Sequence, residues 1–310
     1  MFKQACPSIK KTITTHVQQR TFGSLVSPTE LKQSLNSVKV LDGSWHMPNT
    51  NRDPFQEFTD KRITGSQFFG IDSIKDTTSD LPHMLPPPEL FAEAVGMLCI
   101  GKMGIGRDDH VVVYDTVGVF SACRVYWTFK AFGHDSVSVL NGGLPLWEKA
   151  GGSVETGSPK PVEPKDYPVP ELKADLVRSY ESVLANARRI HEGQTGAQVL
   201  DARPYPRFTG EAPEPRAGLS SGHMPGSISV AFNEVVDNGV MLSDEKLHQV
   251  FNSKQVDLNK EIITSCGSGI TASILYLALE RVGALRIAVY DGSWTEYAGM
   301  KDSLIVKDNK

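Results

Sequence analysis

The stretch Glu261-Ile262-Ile263-Thr264-Ser265-Cys266-Gly267-Ser268-Gly269-Ile270-Thr271-Ala272 decides how this chain folds and where its chemistry sits. Its first half is an apolar run led by a charge, the pattern of a buried strand. A helix-like segment, Thr271 to Val282, follows and stops at Gly283, as helix C-termini often do. Cys266 therefore stands where a strand hands over to a helix, and ligands of open parallel sheets bind at the carboxyl ends of strands. Gly267 and Gly269 permit a backbone that turns successive N–H groups toward one point. The helix start adds its positive end. Together these favour an anion at the sulfur, a thiolate or a persulfide. The alternative is an inert, buried cysteine, the commoner fate of a free thiol. The Gly-Ser-Gly loop tips the reading toward a nucleophile.

Working outward, the same order of signals occurs twice. Val40-Leu41-Asp42 matches Val199-Leu200-Asp201, and Ile63-Thr64-Gly65-Ser66 matches His223-Met224-Pro225-Gly226-Ser227. His110 to Asp115 matches Glu261 to Cys266, Ala122 to Phe132 matches Thr271 to Val282, and Val137 to Gly143 matches Ile287 to Ser293. An offset of roughly 150–160 residues throughout makes two similar domains the economical reading. Continuous apolar strands alternating with helices imply a parallel sheet with helices on both faces, so the fold class is α/β, in two tandem copies. Asp115 takes the place of Cys266 in the first copy and cannot carry sulfur, so that loop is expected to be catalytically degenerate. The expected organisation is a basic tail over 1–22, an N-terminal domain over 23–152, a Pro-rich linker over 153–173 and a catalytic domain over 174–310.

Bulk composition agrees. The 310 residues are 40% hydrophobic and 22% charged with a net charge of −4, which suits two soluble domains and gives no reason to expect nucleic-acid contact. No apolar run is long enough for a membrane span. The cysteines Cys6, Cys99, Cys123 and Cys266 are scattered with no C-x-x-C pair, which argues against a zinc site or disulfide framework. Glu30 is the first acid, after Lys3, Lys10, Lys11 and Arg20. This composition suggests a mitochondrial presequence, with a basic tail on a cytoplasmic protein as the alternative.

Cys266 to Ala272 followed by Tyr290-Asp-Gly-Ser-Trp-Thr-Glu296 resembles the active-site region of 3-mercaptopyruvate sulfurtransferases, in the tandem-domain rhodanese superfamily. Asp42-Gly-Ser-Trp45, Phe68 to Asp72, Leu81 to Pro86, Ala212 to Arg216 and Ser221 to Gly226 extend the resemblance in family order from about residue 25 to 300. It implies two tandem rhodanese-like domains and roles for particular residues. Arg207 and Arg216 match carboxylate-binding arginines, a use that suits the bidentate guanidinium; the bland alternative is two surface ion pairs. Ser268, His83 and Asp72 match a hydroxyl–imidazole–carboxylate proton relay, whereas by itself His83 in its Pro-rich loop reads as a turn residue. Gly267, Gly269, Ile270 and Thr271 are expected to line the substrate site.

The resemblance further implies 3-mercaptopyruvate as donor, a Cys266 persulfide, release of pyruvate, and thioredoxin, a small thiol or cyanide as acceptor, with no metal or organic cofactor. Thiosulfate sulfurtransferases typically carry basic residues directly after the cysteine; Gly267 and Ser268 stand there instead. Thiosulfate remains the alternative donor, and a sulfur-relay protein for tRNA thiolation a second alternative. A phosphatase would need Cys, five residues, then Arg, but position 272 is Ala272. Gly70, Glu211, Ala212 and Cys123 depart from the common family pattern without removing a proposed catalytic residue.

Overall fold

The computed structural model describes residues 22–96 and 103–308; Cys6, Cys99 and all of the expected tail except Phe22 lie outside them. Two five-stranded parallel sheets carry the fold. In the first, the strands β1 (Leu25–Val26), β2 (Lys39–Asp42), β3 (Gln67–Phe68), β4 (Val111–Tyr114) and β5 (Val137–Leu140) lie side by side in the order β1-β5-β4-β2-β3. In the second, β6 (Val177–Arg178), β7 (Gln198–Asp201), β8 (Ile228–Ser229), β9 (Glu261–Ser265) and β10 (Arg286–Tyr290) run β6-β10-β9-β7-β8. The two orders are the same topology, so the sequence repeat is a structural one.

β4 and β9 are the central strands, and their Val- and Ile-rich sequences are buried as sheets covered on both faces require. Register makes the repeat concrete. Tyr114 pairs with Asp42 and Ser265 with Asp201, so Asp115 and Cys266 are each the first residue past the same central position. A helix follows each loop: α1 (Ala122–Ala131) and α2 (Ala272–Arg281). Only Lys130 of α1 is not buried, because α1 packs against α2 across the domain boundary. Val125, Trp127 and Phe129 share one continuous core with Ile274, Tyr276 and Leu277, and the Tyr126 hydroxyl donates to the Glu280 carboxylate. An apolar interface of this kind holds two domains as one unit, since truncating any one such aromatic costs about 3–5 kcal/mol.

The expected linker is extended but is not a free tether. Its Val154–Glu155 pairs antiparallel with Arg62–Ile63 of the first domain. Farther along, Tyr167 is buried against Phe91 and His134, and Lys165 lies 2.7 Å from the Asp109 carboxylate. The segment therefore straps the first domain before entering the second. At the other end, the Phe22 ring lies 4.7 Å from that of His110, so the last residue assigned to the tail already touches the domain. No helix among the described residues is long and apolar enough to cross a membrane.

Candidate active site

Cys266 sits one residue beyond β9 and is only 2% exposed. The Gly269 N–H points at its sulfur, with N···Sγ 3.1 Å. Gly269 can do this because it adopts φ +84°, a left-handed conformation that glycine tolerates without strain. The loop is held from behind by the turn after β10. Cys266 N–H donates to Ser293 Oγ (3.2 Å), Trp294 N–H donates to the Cys266 carbonyl (2.9 Å), and Thr295 donates to the Gly267 carbonyl through Oγ1 (2.6 Å). This is why Tyr290–Glu296 accompanies the cysteine motif. Behind the loop α2 starts at Ala272, and no side chain caps it. The Ser273 and Ile274 N–H groups bond back to the Ile270 and Thr271 carbonyls, and the positive end of the helix faces the loop.

The first domain shows what such a loop prefers to hold. Asp115, fully buried, accepts four backbone N–H bonds there, from Val117 (2.9 Å), Gly118 (2.7 Å), Phe120 (3.0 Å) and Ala122 (2.9 Å). Burial raises the proton affinity of this carboxyl, and the bonds oppose that rise. One copy of the loop thus encloses its own carboxylate; the other presents a sulfur.

A cleft of about 250 Å³ opens on Cys266, Gly267, Ser268, Ile270 and Thr271, with Arg207 and Arg216 on its rim. Arg207 lies beside the cysteine loop: a Cβ added at Gly267 would stand 3.4 Å from its Nη2, in ordinary contact. Arg207 is not idle: its Nε and Nη2 both bond Glu214. Glu214 in turn meets Arg203 (2.7 Å), which is buried, paired with Asp201 (2.6 Å) and stacked 3.9 Å from the Trp294 ring centre. A buried Asp201–Arg203–Glu214 chain therefore orients Arg207 toward the cleft.

The first domain completes the wall with Trp45, Met47 and Phe120. Trp45 Nε1 donates to Asp72 Oδ2 (2.9 Å), and its ring meets His83 edge-on at 4.8 Å between centroids. His83 Nδ1 lies 2.8 Å from Asp72 Oδ1, an ion-pair distance whose alignment falls short of a hydrogen bond. The imidazole holds the exposed Asp72 carboxyl below its ordinary range; burial lowers the proton affinity of His83 itself. The structure thus brings Asp72 and His83 together, but His83 Nε2 has no hydrogen-bond partner and the link to Ser268 is not closed. Cys123 is fully buried in the core, where burial raises its thiol far above the ordinary range.

A family model of the rhodanese-like domain matches the chain twice, over residues 27–150 and 185–300. The chain belongs to the tandem-domain rhodanese family. The probable 3-mercaptopyruvate sulfurtransferase of Schizosaccharomyces pombe is 40% identical over 273 residues, covering 86% of this rhodanese and 89% of the relative. The thiosulfate sulfurtransferase of Rattus norvegicus is also 40% identical, over 291 residues, covering 91% and 94%. Among solved structures, the sub-stoichiometric sulfur transferase subunit of yeast mitochondrial complex I is 40% identical with a TM-score of 0.82, covering 92% of this chain and 100% of that one. Membership makes this rhodanese an enzyme, a sulfurtransferase.

Sequence reasoning did not single out Arg203, Glu214, Arg124 or Asp291 in this rhodanese. Asp201-Ala202-Arg203 at a strand end was a usable signal for a buried pair. Nothing local marks Arg124, which reaches the site across the domain boundary on α1.

Proposed function

We propose that this sulfurtransferase takes sulfur from 3-mercaptopyruvate onto Cys266 and passes it to a thiol. One observation carries the reading: the Cys266 sulfur faces the Gly269 N–H in a loop whose twin encloses a carboxylate, at a cleft rimmed by Arg207 and Arg216. Arg207 and Arg216 bind the donor's carboxylate, and the Cys266 thiolate attacks its sulfur. An S–S bond forms as the C–S bond breaks, and the bonding pair leaves on carbon as an enolate conjugated with the ketone. The donor's thiol proton ends on that carbon, moved by Ser268, His83 and Asp72, to give pyruvate and a Cys266 persulfide anion. Gly267, Gly269, Ile270 and Thr271 enclose the outer sulfur. A dithiol such as thioredoxin then takes it, becoming a disulfide as hydrogen sulfide leaves and the Cys266 thiolate returns. Small thiols or cyanide also serve as acceptors. Two half-reactions through one covalent intermediate give ping-pong kinetics.

Thiosulfate is the second reading, favoured by relatives bearing that name. Against it stand Gly267, Ser268, Gly269, Ile270 and Thr271, which place no basic side chain directly behind the cysteine. We place the protein in mitochondria on its acid-free N-terminal composition and on the mitochondrial relatives. The deciding experiment supplies each donor with dithiothreitol and follows pyruvate, sulfide and sulfite, with Cys266→Ser alongside. Cys266-dependent pyruvate with thiosulfate much the poorer donor supports the reading. Faster thiosulfate turnover would reverse the donor assignment, and no turnover with either would point to a relay protein.

A further inference from the structure

Arg124 is a charged residue buried in a largely apolar interface. It lies on α1 of the first domain, is 2% exposed, and stacks 4.6 Å from the ring centre of Trp127. Counted from the helix start, the matching position on α2 is Ile274, so the arginine belongs to one copy only. A charge in such surroundings needs strong partners. All of its polar partners converge on the active site. Nη1 lies 2.6 Å from Asp291 Oδ1 and 3.5 Å from the Gly269 carbonyl, and Nη2 donates to the His83 carbonyl. Asp291 uses its other oxygen to accept the Leu85 N–H (2.8 Å).

The His83–Leu85 segment is thus gripped twice, at the His83 carbonyl by Arg124 and at the Leu85 N–H by Asp291. That grip matters because His83 holds φ +62°, a left-handed backbone that a non-glycine residue keeps only when its surroundings impose it. The same guanidinium touches Gly269, the residue whose N–H is offered to the sulfur. His83 comes from one domain and Cys266 from the other, and Arg124 with Asp291 contacts both loops.

Building on the proposed 3-mercaptopyruvate reaction, we infer that Arg124 and Asp291 are positioning residues that set His83 against the Cys266 loop for the pyruvate-forming half-reaction. They touch neither donor nor sulfur; they fix where the imidazole stands when the enolate needs its proton. The second half-reaction, thiol attack on the persulfide, does not use His83 and so does not need this alignment.

Arg124→Lys keeps the charge but has one nitrogen in place of a fork, so it cannot hold Asp291, Gly269 and His83 together. Asp291→Asn removes the charge while keeping an acceptor for Leu85. Both variants are to be measured beside wild type and Cys266→Ser, with melting temperatures recorded. Steady-state pyruvate release gives kcat and KM for the donor. Sulfide release from enzyme loaded with inorganic polysulfide, in a single turnover with dithiothreitol, gives the second half-reaction. We expect kcat for pyruvate release in Arg124→Lys to fall roughly 10- to 100-fold, the usual result of an ångström-scale misplacement, with little change in donor KM. Sulfide release from the loaded enzyme should stay near wild type. An unchanged kcat, a loss expressed in KM alone, or an equal loss in both half-reactions would overturn the inference, the last marking a merely structural arginine. If wild type itself releases no pyruvate, the proposed donor falls first, and this inference with it.

Discussion

Asp115 and Cys266 occupy the same place in two copies of one loop, each the first residue beyond the central strand of its sheet. The Asp115 carboxylate meets four inward N–H groups; the Cys266 sulfur meets that of Gly269. The loop of the first domain thus encloses its own carboxylate, and the same loop supplies Phe120 to the cleft at Cys266.

Asp115→Ala should therefore act on stability and leave sulfur chemistry alone. Four N–H groups would lose their acceptor at once, those of Gly118 and Ala122 in buried bonds and those of Val117 and Phe120 in partly buried ones. With about 1–3 kcal/mol for each unsatisfied buried group, we expect a loss of at least about 2 kcal/mol. Urea denaturation measures it. Persulfide formation on Cys266 per folded molecule should hold near wild type; a selective loss of persulfide at normal stability would show that the loop does more than brace.

Much of this was legible in the chain. The Val- and Ile-rich strands, the glycines ending α1 and α2, and the ordered motifs all pointed to two α/β copies, because each rests on local preference and periodicity. The two-residue edge strands Leu25–Val26 and Val177–Arg178 carry too little pattern to be read and exist only through pairing with their neighbours. Asp72 and His83 were found through resemblance, and the structure brings them together. Arg124 could not be read as part of the site, because its partners lie about 40 residues upstream and 145–167 residues downstream and only packing of α1 on α2 brings them near. The Pro-rich segment looked like a tether because its anchors, Tyr167 and Lys165, are single residues without periodicity.

Arg207→Lys tests the donor's anchorage. Lysine keeps the charge but loses the two-pronged hold on a carboxylate and on Glu214. We expect kcat/KM for 3-mercaptopyruvate to fall about 10- to 100-fold, mostly through KM, since charge-assisted bonds are worth about 1.5–3 kcal/mol. Sulfide release from preformed persulfide should be unaffected. If donor KM does not move, Arg207 is a partner of Glu214 and nothing more.

Gly269→Ala should stop the chemistry where it starts. The residue holds φ +84°, and a Cβ would stand 2.6 Å from Arg124 Nη1 and 3.0 Å from the Asp291 carbonyl. Left-handed backbone alone costs alanine about 1–2 kcal/mol, and Arg124 is held in place by its pair with Asp291. The expected relief is rotation of the loop, taking the N–H off the sulfur. Mass spectrometry after donor exposure should find little persulfide on Cys266 in a protein that still folds; full persulfide yield would show that the Gly269 N–H is dispensable.

Asp42 offers a stability test that leaves the reaction aside. In the second domain its counterpart Asp201 is neutralised by Arg203; in the first, Ser44 stands at the corresponding place. Asp42 is fully buried, its Oδ2 has no hydrogen-bond partner, and burial raises its pKa from 3.8 to about 6, against the Ser44 bonds that lower it. A carboxyl whose folded pKa lies above its unfolded value binds its proton more tightly when folded. Its contribution is most favourable below pH 3.8 and is lost as pH rises through 6. Two pH units at about 1.4 kcal/mol each set the cost of ionising Asp42 at about 3 kcal/mol above pH 7. Asp42→Asn keeps an acceptor for the Ser44 N–H and never ionises. Denaturation at pH 7.5 should find the variant more stable by up to about 3 kcal/mol, narrowing to about 1 kcal/mol at pH 4.5. A difference that does not change with pH would mean that Asp42 stays in one protonation state throughout.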